Sequence, residues 1–164
     1  EYLITLASAS KSFNLAGFQC AYAIIPNEEL RGEYDRLAKE LHFTEGTNFA
    51  YIATQAAYEH GRPWLDSVCE IIEGNYQYLK RELEMTMPEV KIAPLEGTYL
   101  AWMDMSAYVN PEQMKDAILN TCHLAVDFGE WFGGDNYKSH IRLNLATSKE
   151  NIKEVIARLQ LLKS

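Results

Sequence analysis

The chain has 164 residues, 48% apolar, 23% charged and 12% aromatic, which is the composition of a folded chain with a substantial core rather than of a disordered one. A net charge of −8 argues against a non-specific binder of nucleic acid or of an anionic membrane. Three cysteines, Cys20, Cys69 and Cys122, are odd in number and match no metal-ligand spacing; they are expected as reduced core residues of a cytoplasmic protein, in a chain without a span-length apolar stretch or a signal-peptide pattern.

The opening residues Glu1-Tyr2-Leu3-Ile4-Thr5-Leu6 read as a strand already under way, and together with the missing initiator Met they predict a fragment. Residues 2–6 and 20–25 are short apolar runs of the kind found in strands buried on both faces. Between them lies a small polar turn, Ser8-Ala9-Ser10-Lys11-Ser12-Phe13-Asn14-Leu15-Ala16-Gly17. A lysine framed by hydroxyls at such a point suits covalent capture of an aldehyde cofactor. The amine has to be held still to form a Schiff base, and small hydroxyl residues beside it can bond a phosphate. Taken alone, such a lysine is more often a solvated turn residue, and serines are common turn formers.

Pro26-Asn27 ends the second run and caps a helix predicted over 28–39. A looser stretch at 42–47 leads into a small-residue helix over 49–59 that ends at Gly61. Pro63 opens the longest helix, where Leu65, Val68, Ile72, Tyr76, Leu79 and Leu83 recur at steps of three and four and form one apolar stripe. Pro88 closes it. Residues 90–93 and 98–103 read as strands joined by the turn Pro94-Leu95-Glu96-Gly97. Asn110-Pro111-Glu112-Gln113 combines an N-cap, a proline at the first helical position and a glutamine three after the cap, and predicts a helix to about residue 121. Residues 124–128 and 141–145 are further strands. The glycine-rich Phe128-Gly129-Glu130-Trp131-Phe132-Gly133-Gly134 lacks the lysine and hydroxyl of a phosphate loop and is expected as a flexible loop at the mouth of a site. Thr147-Ser148-Lys149-Glu150 is a capping box for a last helix with Ile152, Val155, Ile156 and Leu159 on its apolar side. His42, His60, His123 and His140 have no spacing partners, so no metal site is expected. The order of elements predicts an α/β chain in two parts. Residues 1–60 are the end of a large α/β sheet; residues 61–164 are a long connecting helix and an α+β unit with a small sheet.

Five segments in this order resemble the C-terminal portion of a fold-type I pyridoxal-phosphate enzyme. They are Ser10-Lys11-Ser12-Phe13-Asn14-Leu15-Ala16-Gly17, Ala21-Tyr22-Ala23-Ile24-Ile25-Pro26, Glu59-His60-Gly61-Arg62-Pro63-Trp64-Leu65-Asp66, Leu95-Glu96-Gly97-Thr98-Tyr99-Leu100-Ala101-Trp102-Met103-Asp104 and His140-Ile141-Arg142-Leu143-Asn144-Leu145-Ala146. The broad match is the class I/II aminotransferase family, and within it the cystathionine β-lyase (C–S lyase) subgroup is the nearest.

The resemblance implies the C-terminal part of the transferase-like fold of these enzymes: the end of the large-domain sheet, then a small domain with a mainly antiparallel sheet. It implies that Lys11 carries the cofactor and moves protons at the substrate α-carbon, that Ser8 and Ser10 help to hold the cofactor phosphate, and that Arg142 binds the substrate α-carboxylate, a task suited to a planar two-pronged donor. Asn14 and Gly17 fit the tight turn after the lysine; Tyr99 and Trp131 lie in segments that approach the pocket and carry no assigned step. Where many aminotransferases have a basic residue eight positions after the lysine, this chain has Gln19. The phosphate loop, the aspartate facing the pyridine nitrogen, the groups that bond the ring hydroxyl and the stacking aromatic all precede the lysine in this family. The expected activity is β-elimination from cystathionine-like amino acids to pyruvate, ammonia and a thiol, in a cytoplasmic homodimer. The alternatives are an aminotransferase, or an isolated non-catalytic module lacking the rest of the cofactor site.

Overall fold

In the computed structural model, residues 2–43 and 46–163 are described; Glu1 of the opening run and Thr44 and Glu45 of the stretch predicted as loose lie outside them. The chain divides into two compact units, one within residues 1–67 and one within residues 68–164.

In the first unit, β1 (Thr5–Ala7) and β2 (Tyr22–Ile24) pair antiparallel, with Leu6 opposite Ala23. The expectation that both runs are buried on two faces does not hold here: Leu6 is 70% and Ile24 53% exposed. An apolar run records what a strand can tolerate on its faces, and among the described residues this sheet has only two strands. Helix α1 (Glu28–Glu40) starts where Asn27 Oδ1 accepts from Leu30 N (2.8 Å), and Arg31 Nη1 donates back to Ile25 O (2.8 Å), tying the first turn to the end of β2. Helix α2 (Asn48–His60) is capped by the Thr47 hydroxyl, which accepts from Ala50 N (3.2 Å).

Helix α3 (Arg62–Thr86) follows after Gly61 and stops just before Pro88, as its proline punctuation requires. In the second unit its stripe meets the inner face of a four-stranded antiparallel sheet, order β3-β4-β6-β5, built from β3 (Lys91–Ile92), β4 (Leu100–Asp104), β5 (Asp127–Phe128) and β6 (His140–Asn144). Alternation decides which side chains face inward: Ala101 and Met103 of β4, Phe128 of β5, and Ile141 and Leu143 of β6 are buried. With Tyr76, Leu79 and Leu83 of α3 and Ile152, Ile156 and Leu159 of the last helix they form one core, each large aliphatic side chain contributing about 1.5–3 kcal/mol on burial. Asn75 is the one buried polar side chain among the described residues, and its Nδ2 donates to Leu145 O (2.9 Å) and Thr147 O (2.8 Å).

Several local expectations change. The helix expected to run from Asn110 to about 121 is a succession of a 3₁₀ turn (Pro111–Gln113), α4 (Met114–Asp116) and a π-helical turn (Ala117–Thr121); the sequence pattern gives the N-cap, and the packing of Met114, Ile118 and Cys122 into the core sets the winding. The glycine-rich segment is not a loop but a short helix α5 (Glu130–Gly133) and a 3₁₀ turn (Gly134–Tyr137). Helix α6 (Lys149–Leu159) takes Ser148, not Thr147, as its N-cap: Ser148 Oγ accepts from Asn151 N (3.3 Å), while Asn151 Nδ2 donates to Thr147 Oγ1 (2.7 Å). Of the cysteines expected in the core only Cys122 is buried, Cys69 is exposed and Cys20 is half-buried; all three are free thiols. Among the described residues no helix is long and apolar enough to cross a membrane.

Candidate active site

Lys11 sits on one helical turn between β1 and β2. Phe13 N donates to Ala9 O (3.0 Å) and Leu15 N to Ser10 O (3.0 Å). Asn14 has φ +56°, the left-handed conformation that asparagine tolerates better than most residues. Ser8 closes the loop from beneath. Its hydroxyl donates to Cys20 O (2.6 Å) and accepts from Ser10 N (3.1 Å), so the two chain ends of the turn are joined through one side chain. Ala9 is buried, while Lys11 is exposed. Neither the Lys11 amine nor the Ser10 hydroxyl has an ion-pair or hydrogen-bond partner among the described residues.

Phe13, two residues on, anchors the turn. Its ring lies edge-on to Tyr58 (centroids 5.8 Å apart) and stacks with Trp64 (6.1 Å). Between those two positions Gly61 is required, because a Cβ there would sit 2.6 Å from a Phe13 ring carbon. Tyr22 Oη donates to Tyr58 Oη (3.2 Å), which ties β2 to the same point. The lysine therefore stands on a turn pinned on both sides, with its amine free.

Arg142 is the middle residue of β6, in the second unit, paired with Trp102 of β4 on one side and Asp127 of β5 on the other. It points to the face of the sheet opposite the core, together with Trp102 and His140. Arg142 Nε donates to Asp127 Oδ2 (3.0 Å) and Nη2 donates to the same oxygen (2.6 Å). The guanidinium carbon lies 4.2 Å from the centroid of Phe132, over the ring face. Trp102 is in turn edge-on to Phe132 (5.9 Å) and Tyr137 (5.7 Å) and stacked on His140 (5.3 Å). This aromatic group is what carries α5 and the turn after it over the outer face of the sheet.

Gly129 permits that fold-back. Its N donates to His140 O (2.8 Å), and a Cβ at this position would overlap the Tyr137 carbonyl oxygen and lie 2.7 Å from His140 Cβ. Ion pairs fasten the segment further: Lys115 with Glu130, and Lys138 with Glu112 (3.0 Å) and Asp135 (3.1 Å). Beside it, burial pushes the Asp104 carboxyl up, but the Ser106 amide (2.9 Å), the Ser106 and Ser139 hydroxyls and the charge of His140 outweigh that and hold it below the ordinary carboxylate range.

Each candidate residue thus has a defined setting. Ser8, Ser10 and Lys11 share one turn in the first unit; Arg142 stands on the sheet of the second. Trp131, singled out by its segment, is edge-on to Phe128 (5.4 Å) and 58% exposed; its neighbour Phe132 is the ring that reaches Arg142. Sequence reasoning missed Asp127, Phe132 and Trp102 as neighbours of Arg142. The one available signal was the alternation of 127, 142 and 102 onto the outer face, and that requires the strand register.

The arrangement offers a nucleophilic amine with a free hydroxyl donor beside it, and a guanidinium whose Nη1–Nη2 edge is open. The family model for aminotransferase class I and II matches residues 1–159. The chain is 29% identical over 158 residues to the cystathionine beta-lyase PatB of Bacillus subtilis (96% of this chain, 41% of the relative), and 26% identical over 160 residues to the transaminase BacF of the same organism (94% and 38%). It superposes with TM-score 0.87 and 32% identity on cystalysin from Treponema denticola, a structure that contains pyridoxal 5'-phosphate, covering 98% of this chain and 41% of that one. The chain spans about two fifths of the length of the relatives it matches. The family-model match over residues 1–159, together with a fold shared over nearly the whole chain, places this protein in the aminotransferase class I and II family.

Proposed function

We propose that this chain is the C-terminal part of a pyridoxal-phosphate-dependent C–S β-lyase that converts cystathionine-like amino acids to pyruvate, ammonia and a thiol. One observation carries the reading: Lys11 is fixed by its turn and by Phe13, yet its amine is exposed and unpaired beside the free hydroxyl of Ser10. These residues fit the cofactor, with an amine for its aldehyde and a hydroxyl donor for its phosphate.

When bound, pyridoxal phosphate supplies the electrophilic aldehyde and an electron sink for the substrate α-carbon. Lys11 Nζ would hold it covalently and, with its amine free, would take the proton from the substrate α-carbon as general base. The Ser10 hydroxyl would donate a hydrogen bond to its phosphate. The Ser8 hydroxyl donates its hydrogen bond to Cys20 O, so its part is to hold the loop, and donation to a phosphate needs that hydroxyl to rotate. Arg142 takes the substrate α-carboxylate on its open edge. In this reading residues 1–60 are the end of the large cofactor domain, residues 61–164 the connecting helix and small domain, and the whole protein a cytoplasmic homodimer. The separate chain is inactive, since in the family the rest of the cofactor bed precedes the lysine.

The test is reduction with borohydride of the full-length gene product loaded with pyridoxal phosphate, followed by mass mapping. Label confined to Lys11 and lost in Lys11→Ala is expected; label spread over surface lysines, or none, refutes the assignment. The similarity to a transaminase supports an aminotransferase as the second reading. Pyruvate formed without a keto-acid acceptor selects the lyase, and acceptor-dependent turnover selects the aminotransferase.

A further inference from the structure

We infer that Asp127 is a positioning residue for substrate: it holds the Arg142 guanidinium by one edge so that the other is presented, already oriented, to an incoming α-carboxylate. The inference rests on the proposed role of Arg142 and adds to it the residue that sets its geometry.

A guanidinium has two edges that can fork a carboxylate, Nε with Nη2 and Nη1 with Nη2. Asp127 Oδ2 accepts from Nε (3.0 Å) and from Nη2 (2.6 Å), which uses the first edge. Phe132 covers one face of the plane at 4.2 Å. The two Nη1 hydrogens and the second Nη2 hydrogen have no partner among the described residues. With one edge and one face taken, rotation about the last side-chain bonds is stopped, and a single two-pronged donor surface remains. Arg142 has a side-chain exposure of 31% and Asp127 of 41%, so the pair is not sealed from a ligand.

The support is built into the sheet. Asp127 and Arg142 are directly opposed in the β5–β6 register, so their Cα separation is set by backbone hydrogen bonds rather than by side-chain search. Pre-ordering a long side chain in this way removes an entropy cost that substrate binding would otherwise bear, and fixes the angle at which the carboxylate is held. The same carboxylate has a second conceivable effect: it partly neutralises Arg142 and could act as an internal competitor that substrate must displace. The two roles differ in sign. A competitor lowers affinity, so its removal tightens binding; a positioning residue raises affinity, so its removal weakens it. The open Nη1–Nη2 edge favours positioning, because substrate and Asp127 can then be bound at once.

The experiment compares Asp127→Ala, Asp127→Asn and Arg142→Ala in the full-length gene product loaded with pyridoxal phosphate, measuring kcat and KM separately and the thermal midpoint of each. Asp127→Ala is expected to raise KM roughly tenfold, in line with the cost of a misplaced binding group, with kcat changed less than about threefold. Asp127→Asn should recover most of the loss, because the amide oxygen still accepts from Nε and Nη2. A general structural defect would lower the midpoint and kcat without rescue by Asn. A KM that falls or stays level in Asp127→Ala, while Arg142→Ala raises it, overturns the positioning role and leaves the reading of Arg142 intact. A KM unchanged in Arg142→Ala overturns the reading of Arg142 and the inference with it.

Discussion

Asn75 is the most exacting point in the second unit. It interrupts the apolar stripe of α3, is 3% exposed, and its Nδ2 reaches two main-chain oxygens, those of Leu145 (2.9 Å) and Thr147 (2.8 Å), 70 and 72 residues away. Asn75→Leu keeps the approximate volume and removes both bonds. Leu145 O retains the amide of Thr147 (2.9 Å), so it loses one of two donors; Thr147 O loses its side-chain donor at a half-buried site. At about 1 kcal/mol for each net bond the loss is about 2 kcal/mol, within roughly 1–3. Urea unfolding of the 164-residue chain in a Trp64→Phe background measures it, since its emission then comes only from Trp102 and Trp131, both in the second unit. With m of about 1–3 kcal/mol/M the midpoint should fall by about 1 M. Asn75→Asp should cost more at neutral pH, because it sets a carboxylate against two carbonyl oxygens. Burial and those oxygens raise its folded pKa above the unfolded value of about 3.9. Its penalty is therefore complete above the folded pKa and fades as pH falls through it, when the acid can donate one bond. A leucine variant within about 0.5 kcal/mol of the parent would show that the two bonds contribute nothing net.

Two further outcomes concern Asp104 and the cysteines. The folded Asp104 carboxyl is held below its unfolded range, so it contributes stability above the unfolded pKa and loses it as pH falls through the folded one; Asp104→Asn should flatten the acid limb of a stability–pH curve below about pH 4, and an unchanged limb refutes the assignment. Burial pushes the Cys122 thiol up, while Cys69 is exposed. Iodoacetamide at neutral pH should label Cys69 first, then Cys20, and Cys122 only on unfolding; early labelling of Cys122 contradicts its place in the core.

Much of the fold is legible along the chain because its causes are local. The stripe Tyr76, Leu79, Leu83 and the caps at Asn27, Asn110 and Ser148 depend on residues two to four positions away, and such patterns survive in one dimension. Where a pattern allows two neighbouring solutions, packing chooses: Thr147 and Ser148 can both cap α6, and Ser148 does. The first unit shows the opposite case. The apolar character of β1 and β2 is read correctly as strand, but burial depends on what lies against a strand, and no spacing of residues states that.

The site divides along the same line. Lys11 and its serines stand in one contiguous turn, so their proximity is given by covalent linkage, and the resemblance assigns their chemistry. Arg142 can be picked out as a cation in an alternating strand. Its partners cannot, because Asp127 reaches it through strand pairing across 15 residues, Phe132 through a helical turn folded back at Gly129, and Trp102 through the neighbouring strand. These contacts depend on register, and a slip of one residue in β6 would send Arg142 into the core and Ile141 to the outer face. Nearest-neighbour chemistry along the chain is enough to nominate the reactive groups. Their orientation is a property of the folded sheet, where residues far apart in sequence are held at hydrogen-bond distance by a backbone that neither of them specifies alone.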